Sequence, residues 1–198
     1  MKQISGLMIL GLIIVIMMSG CISKYFEEQK AKERLEISKG LFQEFSMMLK
    51  GELQKAIREG GPASAIGVCK KVSLEAEETF SAKYPDIIKV RRISLKTRNP
   101  ERHTPSDDEV EYLQWAEKTW TADPDQVSQV KISLSDSSST KIFFPISVGD
   151  PMCILCHGQP EQIIPEIQNA LTEHYPQDQA VGYQVGDFRG AFVVEWKN

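Results

Sequence analysis

Apolar positions recur every three or four residues at Leu35, Ser38, Phe42, Phe45, Leu49 and Ala56, and Leu41, Met48, Leu53 and Ile57 widen the stripe. That period predicts one long helix over 23–59. Its early turns, 27–34, are almost wholly polar and read as a solvated spacer. Gly60-Gly61 ends it, and Pro62 suits the first turn of a second helix. There Ala65, Ile66, Cys69, Val72, Ala76 and Phe80 share one face, which sets Cys69 in the middle of an apolar surface. Tyr84-Pro85-Asp86 stops that helix.

The pattern then changes. The β-branched stretch 87–95 predicts a strand, with Arg91 and Arg92 on opposite faces. Asn99-Pro100 and Thr104-Pro105 mark 96–106 as loop. Asp107 or Asp108 is expected to cap a short helix with Val110, Leu113, Trp115 or Ala116, and Trp120 inside. Asp123-Pro124-Asp125 breaks it. Stretches 127–134 and 141–148 predict a hairpin across 136–139, 161–175 a helix, and 182–185 with 190–196 a last hairpin around Gly186-Asp187. The sum is an α+β domain: an antiparallel sheet of about five strands, flanking helices and a long N-terminal helix.

Ahead of these elements, Lys2 precedes an apolar stretch over 4–17. Met18-Ser19-Gly20-Cys21 resembles a bacterial lipobox. The expected division is a lipoprotein signal peptide over 1–20, a membrane-proximal tether over 21–34 with a lipid on Cys21, and one domain over 35–198. An uncleaved signal anchor is the alternative, and either exports the domain. Ile22, where an Asp would favour the inner membrane, tips the expected periplasmic location toward the outer membrane. With 23 basic and 27 acidic residues the net charge is -4, and no basic stripe invites nucleic acid.

The chemistry centres on Cys153-Ile154-Leu155-Cys156-His157. This C-x-x-C-H run is the attachment signature of c-type haem: Cys153 and Cys156 form thioethers, and His157 reaches the iron on one face. A thioredoxin-type dithiol needs a preceding strand and a helix starting at the first cysteine, whereas Asp150-Pro151-Met152 reads as loop. A zinc site needs four ligands, and no second C-x-x-C or H-x-x-H pair supplies them. One covalent haem c is therefore expected. What lies opposite His157 decides its behaviour. Met152 adjoins Cys153, Met47 and Met48 read as core, and His103 and His174 as surface. Cys69 has no disulfide partner in an oxidising compartment. The residues alone leave it open between a small buried hydrophobe and a ligand. Arg91, Arg92, Arg98 and Arg189 are candidates for holding the propionates through paired hydrogen bonds, with only one of Arg91 and Arg92 able to face the haem.

Several blocks carry a resemblance. Ala65-Ile66-Gly67-Val68-Cys69, the run from Val90-Arg91-Arg92 to Arg98-Asn99-Pro100, Cys153 to Gly158, and Tyr175-Pro176-Gln177-Asp178 through Phe188-Arg189-Gly190-Ala191 are similar to exported mono-haem c-type proteins with a PAS-like fold, formerly a domain of unknown function. The resemblance covers most of 35–196. It implies a PAS-like sheet holding one haem c, with Cys69 as the second axial ligand opposite His157. Glu101-Arg102-His103 departs from it, since the family more often has a small residue and Asn there. The expected function is a sensor or binding module for redox poise or a diatomic gas, which changes its sixth ligand and signals to a partner protein. The alternative is a membrane-tethered mono-haem electron-transfer cytochrome. No enzymatic activity is expected, because a Cys69 ligand closes the open distal site that a peroxidase needs. The long helix also offers a homodimer contact.

Overall fold

The computed structural model describes the backbone of residues 3–128, 131–134 and 139–198. The chain divides into two compact units, Met1–Ser38 and Lys39–Asn198. Helix α1 (Gln3–Lys83) is interrupted at Gly61, whose φ of 80° lies in the left-handed region open to glycine, and Pro62 begins its second arm. The expected break is therefore present, although the first arm begins well before residue 23. Among the described residues no helix is long and apolar enough to cross a membrane.

After α1 come β1 (Ile87–Ile93), α2 (Pro100–His103), α3 (Asp107–Ala122), α4 (Pro124–Ser128), β2 (Lys131–Leu134), β3 (Ser139–Ser147), α5 (Pro151–His157), a 3-10 turn (Pro160–Gln162), α6 (Pro165–His174) and β4 (Phe188–Lys197). The strands form one antiparallel sheet in the order β1-β4-β3-β2. Among the described residues the sheet has four strands rather than the expected five, because 182–185 does not extend it. Its amides turn to the end of α5 instead: Gly182 donates to the Gly158 carbonyl at 2.8 Å and Tyr183 to that of His157 at 2.9 Å.

Strand alternation puts a helix on each face of the sheet. Arg92, Phe192 and Phe144 align across β1, β4 and β3. On that face Phe42 stacks on Phe144 at 5.1 Å, and Phe45 meets Phe192 at 5.2 Å and Phe80 at 6.5 Å. Arg91, Val193 and Phe143 align on the other face, where Tyr112 of α3 stacks on Phe143 at 4.2 Å. At the head of β4, Gly190 (φ 147°) crosses β1 so closely that a Cβ would stand 2.2 Å from the Ile93 carbonyl oxygen.

Other boundaries moved for local reasons. Ser106 caps α3 rather than Asp107 or Asp108, and its N–H donates to Glu109 at 2.9 Å. Tyr112, Leu113 and Ala116 are buried, while Trp115 stays 38 % exposed. Val127 belongs to α4, and the expected turn at 136–138 lies outside the described residues. The short helix α2 occupies the expected loop. The expected helix over 161–175 starts only at Pro165, since Ile164 before a proline is held extended.

Candidate functional site

The C-x-x-C-H run is helical. Asp150 caps α5 by accepting the Met152 N–H at 2.9 Å, and Pro151 takes the first position. The loop context expected there is absent, and with it the contextual argument against a dithiol. Cys153 falls in the first turn of α5, and burial pushes the Cys156 thiol up.

Backbone and guanidinium groups fix His157. Its Nδ1 lies 2.7 Å from the Ala180 carbonyl oxygen. A carbonyl only accepts, so Nδ1 carries the proton and Nε2 keeps its lone pair. Burial first, then Arg98 and Arg189, hold the imidazole well below the usual histidine range and hence neutral. Arg98 donates to Asp178 at 3.0 Å, to the Cys156 carbonyl at 2.5 Å and to the Ala180 carbonyl at 3.3 Å. It clamps the end of α5 to the loop that holds His157, rather than standing free.

A cavity of about 290 Å³ opens beside this clamp. Cys153, Cys156, His157, Cys69, Arg92 and Arg98 all line it. Leu49, Leu53, Ile57, Ile66, Ile146 and Leu155 give it apolar walls. Cys69, Cys153 and Cys156 are all free thiols, and burial raises that of Cys69 above its usual value. The site residues expected in the domain thus share one space. The side chain of Cys21 lies outside the described residues.

The other candidates separate. Arg91 faces away, paired with Glu109 of α3. Arg92 donates to Ser73 and, at 3.4 Å, to Glu77. Arg189 lines the cavity, donates to the Ser94 hydroxyl at 2.6 Å and the Lys96 carbonyl at 3.1 Å, and has no carboxylate partner among the described residues. Burial lowers its pKa to about 10. Met47 is exposed rather than core. Met152 lines the cavity, and Met48 is half-buried away from it. His174 is half-buried rather than a surface residue, and Lys70 of α1 donates to its carbonyl at 2.8 Å. His103 is not a surface residue; it is buried against Glu77 and lines the cavity.

The sequence reading missed Ser73, Glu77, Asp178, the Ala180 carbonyl and Tyr175. One signal was legible. Ser73 and Glu77 follow Cys69 at four-residue steps, so the Cys69 face is polar along one edge rather than wholly apolar. Tyr175 lines the cavity with its phenol pushed up to about 12 by burial. Asp178 and Ala180 act through loop geometry that periodicity does not encode.

No curated protein matches the chain significantly. The crystal structure of the cyanobacterial heme-protein Tll0287 has a similar fold, with a TM-score of 0.62 and 24 % identity over 84 % of this chain and 96 % of that one. The Tll0287-like family model matches residues 14–196. That match spans most of the sequence, and the chain belongs to the Tll0287-like family.

Proposed function

We propose that this protein carries one haem c in the cavity, attached through Cys153 and Cys156 and ligated by His157 and Cys69, and that it is a sensor or binding module for redox poise or a diatomic gas. The observation that carries the reading is convergence. Two free motif thiols, an imidazole with Nδ1 fixed and Nε2 left as an acceptor 3.5 Å from Arg98 Nη1, and the Cys69 thiol line one cavity. The donor set fits the group. The aliphatic walls suit a macrocycle, and Arg189, a half-buried cation with no carboxylate partner among the described residues, suits a propionate. The similarity to a protein described as a heme-protein supports the same cofactor.

A bound haem supplies an iron that changes oxidation state and exchanges axial ligands. The chain's own groups do the rest. Ala180 sets the His157 tautomer, and Arg98 holds the motif helix in register with that carbonyl. Cys69 ligates as a thiolate only while a cation opposes the burial that raises its pKa. With a haem bound, reduction of its iron would weaken the hold on Cys69, which would then be the ligand that a diatomic gas displaces. Such a labile ligand suits a sensor better than a carrier, which keeps both ligands. A PAS-like role for the sheet, export with a lipid on Cys21, the absence of enzymatic activity and a signalling partner complete the reading. The test is carbon monoxide added to the ferrous full chain. A carbonyl-type absorption shift is expected; a ferrous spectrum that ignores carbon monoxide assigns the protein to electron transfer instead.

A further inference from the structure

Cys69, Ser73 and Glu77 stand at successive four-residue steps on one edge of α1. From β1, Arg92 donates to Ser73 and, at 3.4 Å, to Glu77. From α2, His103 sets its Nε2 3.1 Å from both oxygens of Glu77. Ser73, Glu77 and His103 are all buried, and Arg92 and His103 line the same cavity as Cys69. This polar row begins at the proposed ligand and ends on an imidazole that no structural role requires to be titratable.

We propose that His103 is the redox-linked proton acceptor of the cavity: an electron entering the site draws one proton onto its Nδ1. The inference rests on the haem reading above. Burial alone would raise the pKa of Glu77, but His103 and Arg92 outweigh it and keep the carboxylate ionised. An ionised Glu77 only accepts, so Nε2 of His103 carries the hydrogen and Nδ1 holds the lone pair. Burial, with help from Arg92 and Arg91, lowers the His103 pKa and keeps the ring neutral near pH 7. The charged groups around it are Glu77 from α1, and Arg92 and Arg91 from β1. Arg91 is matched by Glu109 from α3, and Arg102 on α2 itself is matched by Glu78. One added negative charge in this poorly solvated space favours the imidazolium. The electron comes from an external one-electron donor and the proton from water. His103 passes from neutral to cationic, no bond in Glu77 or Arg92 breaks, and the summed charge of the cavity is unchanged.

The test is the midpoint potential of the haem-loaded full chain, poised with dithionite and mediators, from pH 5 to 8. In the wild type the potential falls as pH rises, toward a tenfold change in the reduced-to-oxidised ratio per pH unit, about 59 mV for one electron. In His103→Gln at least half of that slope is lost while the ferric spectrum stays the same. In Glu77→Gln, which removes the anionic partner of the imidazolium, the sloping window moves to lower pH. A wild-type potential independent of pH overturns the proposal. So does a His103→Gln protein with the full slope, which would send the proton to Cys69 or elsewhere. If His103→Gln does not load haem, Glu77→Gln decides, and an unmoved window overturns the proposal. A wild type without covalent haem has no such potential and rejects the cofactor reading itself.

Discussion

The two faces of β1 differ in how they treat charge. Toward α3, Arg91 meets Glu109, and Lys141 meets Asp108 at 2.8 Å and Glu109 at 3.3 Å, so two cations face two carboxylates. Phe143, Tyr112 and Leu113 seal that cluster from water. Toward the cavity, Arg92 has Glu77 and Arg98 has Asp178, but among the described residues Arg189 pairs with no carboxylate, so three cations face two there. Buried charge persists only where something compensates it. The α3 face is charge-balanced within the protein, whereas the cavity face is left with one positive charge among the described residues that an anionic group would match. Adjacent residues of one strand thus face opposite settings, Arg91 the balanced cluster and Arg92 the cavity.

The largest effect should come from the cavity. Replacing Cys153 and Cys156 by Ser removes both attachment points, and haem staining of a denaturing gel should fall from strong to none. Retained staining would show that the cavity thiols are not the anchors. Next comes the balanced face. Glu109→Ala strands Arg91 in the interior, leaves Lys141 with Asp108 alone, and should cost about 3–5 kcal/mol in urea unfolding. Arg189→Leu should behave differently: a stability change of about 1 kcal/mol or less, because it removes a charge that has no carboxylate, but several-fold less haem retained per protein. Equal destabilisation by the two variants would abolish the contrast between the faces.

The smallest expected effect is on pH. His103 has a lowered pKa, so the unfolded chain binds its proton first. Stability should therefore decline as pH falls below the ordinary histidine value of 6.5, and decline further below 4.5 as the depressed carboxyl of Glu77 is protonated. Unfolding at pH 7 and pH 5.5 should differ less in His103→Gln than in the wild type. An equal difference in both would place the titrating group elsewhere.

Much of this arrangement was legible in local pattern. The opposition of Arg91 and Arg92 follows from strand alternation alone, and the break at Gly61 from Gly60-Gly61-Pro62. The motif and its neighbouring Arg98 block marked the cavity wall. What escaped depends on contacts distant in sequence. Residues 182–185 have strand composition, yet the carbonyls at the end of α5 take the amides of Gly182 and Tyr183. His103 looked like a loop residue because Glu77, its partner, is 26 positions away on another element. Asp178 and Ala180 lie in an irregular loop, where no period announces that one carboxylate and one carbonyl orient Arg98 and His157.

The central claim, that Cys69 and His157 share one metal centre, is tested most directly by the ferric absorption spectrum of the haem-loaded protein beside that of Cys69→Ala. A low-spin thiolate-type spectrum in the wild type, lost in the variant with haem still attached, is the predicted result. Identical ferric spectra would make Cys69 a buried thiol and contradict the account.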